Sequence, residues 1–352
     1  MPHHRSMSTF APAALALAAA ALLGCLEARA AERQVHIALS FPNGVVWPYF
    51  SVATEMGFAR EEGISFKLTS TDGSAASYKA LATGQVDFAM TQPAQILNGL
   101  ALGEKIVSVY TAYQGHVYQF ATLASSPYHK IADLKGQKIG ISSVAGGQFA
   151  YLRAALKDAG LDPQKDVQIA EVGRGGAAAV ALKEQRIAAY SASFVDMMTI
   201  ERAGEKLRLF LEGPTATFFS DSLAVKSAVA QQDPKLIVAV GRSIAKGTVF
   251  CFTNTEACWN IVAKYVPDTT RKPEFTKPLL EAVLQLHRLP PPANGKWGFQ
   301  SPNAWQAVED FLIDGGQLKQ KVSVKDAFTN AFIPEINDFD AAKVKQLALQ
   351  AK

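Results

Sequence analysis

The chain predicts an α/β protein of two lobes, and three observations carry the prediction. Short apolar strands alternate with helices of about 10 to 15 residues, the helices stop at glycine, and the alternation runs twice before only helices remain. The 352 residues are 49% hydrophobic and 19% charged, which suits a sizeable buried core and excludes a disordered chain. Thirty-five Lys and Arg against 31 Asp and Glu give a formal charge of +4, with the positives scattered, so composition argues against a nucleic-acid binder.

The N-terminus reads as a targeting segment. His3, His4 and Arg5 lead into an alanine-leucine run from Phe10 to Leu26, closed by Ala28-Arg29-Ala30. The run, about 17 residues, is short for a membrane span of ~20 and suits an export signal cleaved after Ala30. Leu22-Leu23-Gly24-Cys25 also resembles a lipobox that would acylate Cys25, but Leu at its second position makes this the weaker match.

The first α/β series follows. Strand Val35 to Phe41 leads to an amphipathic helix from Trp47 to Glu62 closed by Gly63, then to strand Ile64 to Thr71. A helix from Ser74 to Thr83, strand Val86 to Met90, a helix from Pro93 to Leu102 and strand Lys105 to Tyr113 complete the series. The second begins near Ile131: strand KIGISS, helix Gln148 to Ala159, strand Asp166 to Val172, helix Ala177 to Gln185, strand Ile187 to Ser193, a helix to Gly204, and strand Leu207 to Glu212. From Asp233 onward the expected elements are helices: Pro234 to Phe252, Glu256 to Val266, Phe275 to His287 and Ser301 to Asp314.

Two extended apolar stretches, Val117 to Ala124 and Phe218 to Lys226, flank the second series and suit a pair of crossing strands. The expected division is a signal peptide over 1–30, a first lobe from 31–120 and 223–352, and a second lobe over 121–222, with a cleft between them. Loss of the signal leaves Cys251 and Cys258, in a compartment that permits disulfides. On one unbroken helix they would lie ~10 Å apart, too far to bridge. A turn at Thr253-Asn254-Thr255 would bring them together, but two small buried hydrophobes are the favoured expectation.

The segments WPYFSVATEMGFAREEGISFKL, GSAASYKALATGQVDFAM and KIADLKGQKIGI, with the tail segment KWGFQSPNAWQAVEDFLIDGG, resemble the NMT1/THI5-like substrate-binding proteins of ABC importers. These are relatives of the sulfonate, nitrate and thiamine-precursor binders. The resemblance is clearest over Val35 to Gly204 and implies a type II periplasmic-binding-protein fold, two α/β lobes joined by a two-strand hinge that close on a ligand. It also implies a periplasmic monomer with a small-molecule ligand, permease and ATPase partners, and no cofactor, metal or catalytic residue. A ligand sensor presenting its bound solute to a membrane signalling partner is the alternative. The cysteine-rich iron-linked motif of the related eukaryotic pyrimidine synthases is missing.

In open α/β sheets ligands bind beyond the carboxyl ends of the strands, so candidate contacts follow strand ends. After the first strand come Phe41 and Asn43, with Trp47 opening the helix. Gly73 and Ser74 offer backbone N–H groups and a hydroxyl at a helix N-terminus. Thr91 and Gln92 follow the third strand, where the resemblance implies a polar loop lining the cleft, and Tyr113 ends the fourth. In the second lobe Ser143, Gly146, Gly147 and Gln148 form a glycine-rich strand-to-helix turn suited to an anion. Arg174 supplies a planar fork for a carboxylate or sulfonate. Ser193, Asp196 and Phe219 complete the set.

Gly173-x-Gly175-x-x-Ala178 formally matches a dinucleotide fingerprint, but the next strand ends in Ser191-Ala192-Ser193 without the ribose-binding acid. There is no GxSxG, HExxH or CxxC, and His36, His116, His129 and His287 are dispersed, so no reaction is expected. The aromatics and the single arginine favour a small organic acid, sulfonate or aromatic heterocycle as ligand, whose identity the residues leave open.

Overall fold

The computed structural model describes Met1 and residues 32–41, 44–144, 147–210, 218–268, 270–287 and 295–351. The expected signal segment and lipobox lie outside the described residues, as do Asn43 and Gly146.

Two five-stranded sheets form the protein. The first has the order β2-β1-β3-β10-β4, from β1 Arg33–Leu39, β2 Ile64–Ser70, β3 Phe88–Thr91, β4 Ile106–Thr111 and β10 Ser222–Lys226. The second has the order β7-β6-β8-β5-β9, from β5 Tyr118–Leu123, β6 Lys138–Ile141, β7 Gln168–Glu171, β8 Ala189–Ser193 and β9 Leu207–Leu209. β1 runs parallel to β2 and β3, and β6 runs parallel to β7 and β8, as helical crossovers require.

Each sheet has an antiparallel strand in its fourth place, delivered from the other sheet. β10 pairs antiparallel with β3 and β4, and β5 pairs antiparallel with β8 and β9. The segments leading into these strands bond to each other. The carbonyl of Asp221 accepts from Ala112 N at 2.9 Å, Ser220 N donates to Tyr113 O at 3.0 Å, and Val117 N donates to Ser220 Oγ at 2.9 Å. This is the two-strand connection between two α/β lobes.

The expected single helix over Trp47 to Glu62 is broken. Pro48–Glu55 and Phe58–Glu61 are separate because Gly57 takes a left-handed conformation, φ +74°. The long helix Pro234–Thr253 starts where Asp233 caps Leu236 N, and it is apolar on nearly all sides because the first lobe surrounds it. Its Gly247 lets it lie directly on the Tyr49 backbone, where a Cβ would meet the Tyr49 carbonyl oxygen at 2.5 Å. Helix Pro302–Asp314 packs against both Pro93–Ala101 and Gly147–Asp158, so it touches elements of both sheets.

Cys251 and Cys258 form a disulfide, which corrects the expectation of two free buried thiols. The chain leaves helical geometry at Asn254, between Pro234–Thr253 and Thr255–Tyr265, and the two Cα atoms come within 4.9 Å. The Asn254 side chain fixes that break, accepting from Ala257 N and donating to Ala348 O. Closing so short a loop contributes about 2–3 kcal/mol through the unfolded state. Cys251→Ser/Cys258→Ser should therefore lower the melting midpoint by several degrees in a calorimetric scan; an unchanged midpoint would show the bridge to be energetically idle.

Candidate functional site

The carboxyl edges of the parallel strands in the two sheets face each other across a cleft with three adjoining recesses. The inner recess is small, about 50 Å³, below the ~300–1,000 Å³ usual for small-molecule sites. Phe41, Trp47, Tyr113, Tyr118 and Phe194 give it aromatic walls, and Ser40, Ser74, Gln92, Ser193 and Asp221 give it polar atoms. An outer recess, sharing Phe41 and Tyr118, is lined by Asp72, Gly73, Ser142, Ser143, Gln148, Arg174 and Asp196. A third, apolar one lies beside Gly147 and Phe219.

Packing fixes the aromatic wall. Trp47 is 2% exposed, stacks on Tyr113 with ring centroids 5.5 Å apart, and donates from Nε1 to the Phe41 carbonyl at 3.1 Å. The Tyr113 hydroxyl in turn donates to the Val46 carbonyl. Tyr118 enters from the second sheet and borders all three recesses. Gly147 gives it room, since a Cβ there would lie 2.6 Å from its hydroxyl.

Arg174, preceding helix Gly175–Lys183, reaches across the mouth. Its guanidinium lies 5.0 Å from the Phe41 ring centroid and 3.4 Å from Asp72 Oδ1. Both groups belong to the first lobe. An exposed pair of this kind is worth little on its own, so the lobes can part here at small cost.

The more buried of the two acids nearest the centre of the cleft is Asp221, 3% exposed against 5% for Asp196. Ser40 Oγ donates to its Oδ1 at 2.5 Å and Gln92 Nε2 to its Oδ2 at 2.6 Å. Burial pushes its carboxyl up to about 6, against which those two donors work. Among the described residues no Lys or Arg forms an ion pair with it.

Thirteen of the sixteen residues expected from the sequence line these recesses: Phe41, Trp47, Gly73, Ser74, Gln92, Tyr113, Ser143, Gly147, Gln148, Arg174, Ser193, Asp196 and Phe219. Thr91 does not. It is fully buried within β3, and its hydroxyl donates to the Ser74 carbonyl at 2.9 Å, which holds the start of helix Ser74–Ala82. Asp196 borders the outer recess, yet its carboxylate is occupied, accepting from Gly175 N at 3.1 Å and Ser193 Oγ at 2.8 Å. Gln148 also braces its own loop, donating to Ser142 Oγ and Ser143 O.

The residues missed are Ser40, Phe194 and above all Asp221, while Tyr118 counts only among the aromatics that suit the ligand and not in the expected contact set. Ser222 pairs with Thr91 of β3 and Thr111 of β4, and Tyr118 pairs with Ser193 of β8. An antiparallel strand brings its beginning to the edge where parallel strands bring their ends. The lone acid in FFSDSLAVK, ahead of an apolar run, was the available signal.

The NMT1/THI5-like family model matches residues 47–257. The riboflavin-binding protein RibY of Chloroflexus aurantiacus is 26% identical over 306 residues, 86% of each chain. Among solved structures, the periplasmic aliphatic sulphonate-binding protein SsuA of Escherichia coli superposes with a TM-score of 0.65 at 17% identity, covering 84% of this chain and 91% of its own. SsuA of Xanthomonas axonopodis pv. citri, bound to MOPS, gives 0.63 at 16% identity over 84% and 98%. These likenesses show the periplasmic-binding-protein fold.

Proposed function

Since this chain belongs to the NMT1/THI5-like family, we propose that it is the extracytoplasmic solute-binding component of an ABC importer. It captures a small organic ligand in the cleft, performs no chemistry on it, and delivers it as a monomer to a membrane permease and its ATPase. The basic start, apolar run and Ala28-Arg29-Ala30 support export through a cleaved signal, and the two sheets support two bodies that move about the crossing strands, 31–120 with 223–352 against 121–222, save that Tyr118, Gln119 and Phe120 pair within the second sheet.

One observation carries the reading: an inner recess whose walls come from both lobes, with Phe41, Trp47 and Tyr113 on one side and Tyr118, Ser193 and Phe194 on the other. A ligand seated there touches both lobes at once only when they are closed, so binding favours the closed form. The permease would then recognise that form.

A thermal-shift screen of unfolded and refolded protein tests this, against riboflavin, alkanesulfonates, nitrate, aromatic carboxylates and pyrimidines. A ligand at a thousand times its Kd adds ~4 kcal/mol, on the order of 10 °C here. The same compound should reduce the radius of gyration in small-angle scattering. A panel without any shift, or a tight ligand without compaction, would refute the proposal.

A further inference from the structure

We propose that Asp221 selects the ligand, accepting a hydrogen bond from a ring N–H of a flat heteroaromatic compound held among Phe41, Trp47, Tyr113 and Tyr118. The inference rests on the solute-binding reading above and names its substrate class.

Asp221 has acceptor capacity to spare. An ionised carboxylate offers about four lone-pair sites. The side chains of Ser40 and Gln92 fill two and the Asp221 backbone N–H a third, which leaves about one for a ligand in the recess that the carboxylate lines. Buried carboxylates are normally paired with a cation or fully hydrogen-bonded. Here the groups around it are neutral: Ser40 follows β1, Gln92 follows β3, Tyr113 follows β4, Tyr118 opens β5, and Tyr49 lies behind on helix Pro48–Glu55. Burial raises the three phenols above their ordinary range, so none is a counter-charge.

A second polar atom in the same recess is only weakly held. Ser74 Oγ, in a residue 2% exposed, makes no well-formed hydrogen bond and has the Tyr118 hydroxyl as its polar neighbour. It lines the inner recess with Asp221. A carboxylate with a lone pair to spare and a weakly held hydroxyl, set among aromatic rings, describe the counterpart of a planar ring with donors on its edge.

The same arrangement disfavours anions. A sulfonate or nitrate ion in the inner recess would lie beside a buried carboxylate. The fixed positive charge, Arg174, lines the outer recess instead. The cleft is therefore polarised, with an acceptor inside and a cation at the mouth. A donor-bearing ring goes in first, and any hydroxylated or acidic tail points out past Arg174.

Riboflavin and 3-methylriboflavin, identical but for the methylated ring nitrogen, test this by fluorescence titration. The wild type should bind riboflavin about 10- to 100-fold more tightly, the value of a hydrogen bond to a charged acceptor. Asp221→Asn should lose a similar factor for riboflavin and no longer distinguish the two flavins. Wild-type affinity should also weaken as pH falls from 7.5 towards 5. If riboflavin does not bind, uracil and 1,3-dimethyluracil take the same places. Equal affinity for either pair would overturn the role of Asp221 while the solute-binding reading stands, as would a variant with unaltered affinity and discrimination. Binding of ethanesulfonate or nitrate alone would overturn the ring class and leave that reading intact. If no compound in the panel binds, both fall. Should Asp221→Asn not fold, the methylated pair on the wild type decides.

Discussion

Trp47→Ala is expected to lower stability by about 3–5 kcal/mol, the usual cost of emptying a large aromatic site in a core. The side chain is 2% exposed and meets Tyr113 as a stacked ring and Tyr49 edge-on, so the removed volume has neighbours on several sides. The short 3₁₀ turn Gly44–Val46 and the Pro48 start of the following helix hold the backbone at this point and limit collapse into the void. The change also frees the Phe41 carbonyl from its Nε1 donor and so loosens the ring that carries the Arg174 contact. Ligand affinity should fall together with stability. Urea titration followed by circular dichroism measures the first and the ligand titration measures the second, with Trp47→Phe retaining most of both. A Trp47→Ala variant with a wild-type midpoint would remove Trp47 from the support of the site.

Asp221→Asn should act in the opposite direction on the ligand-free protein. Its carboxyl ionises near 6 when folded, because burial outweighs the help of Ser40 and Gln92, against an ordinary value of 3.8. Below pH 3.8 both folded and unfolded chains carry the proton, and the residue costs nothing. Between 3.8 and 6 the unfolded chain releases it first, so stability declines as pH rises, and above 6 the full penalty remains. The two pH units correspond to about 3 kcal/mol. An amide of the same shape should recover up to that amount at pH 7.5 and almost none at pH 4. Urea midpoints of the two proteins at these two pH values measure it. A variant less stable than wild type at pH 7.5 would mean that the carboxylate anchors the crossing segments rather than burdening them. Gain of stability with loss of affinity is the pattern expected of a binding group held at a cost.

Local rules made most of the fold legible. Asp233 and Pro234 mark the start of the long helix, and the expected end at Phe252 lies one residue from the observed Thr253. The expected helix over Trp47 to Glu62 failed at Gly57, a glycine inside an amphipathic pattern that periodicity alone passes over. The cysteine pair turned on a single backbone break at Asn254. For the site, the rule that ligands gather at strand ends found Phe41, Ser74, Gln92, Gln148 and Arg174. It missed Asp221 and Tyr118 because the first immediately precedes its strand and the second opens its own. Only the pairing of β10 with β3 and β4, and of β5 with β8, reveals that those openings face the cleft. Such pairings join residues more than sixty positions apart, which no local pattern encodes. Thr91 illustrates the converse, since a strand-end hydroxyl can spend itself on a neighbouring helix.

The exchange of strands between the sheets also bears on the order in which the protein can assemble. All five strands of the second sheet lie within residues 118–209, so that lobe can finish from a single stretch of chain. In the first sheet β3 and β4 touch only through β10, which begins at Ser222. Until that segment arrives, the sheet is split, and two strands present bare backbone edges able to recruit a wrong partner. The lobe that starts first from the N-terminus is therefore completed last, and its closure awaits the longest-range pairing in either sheet.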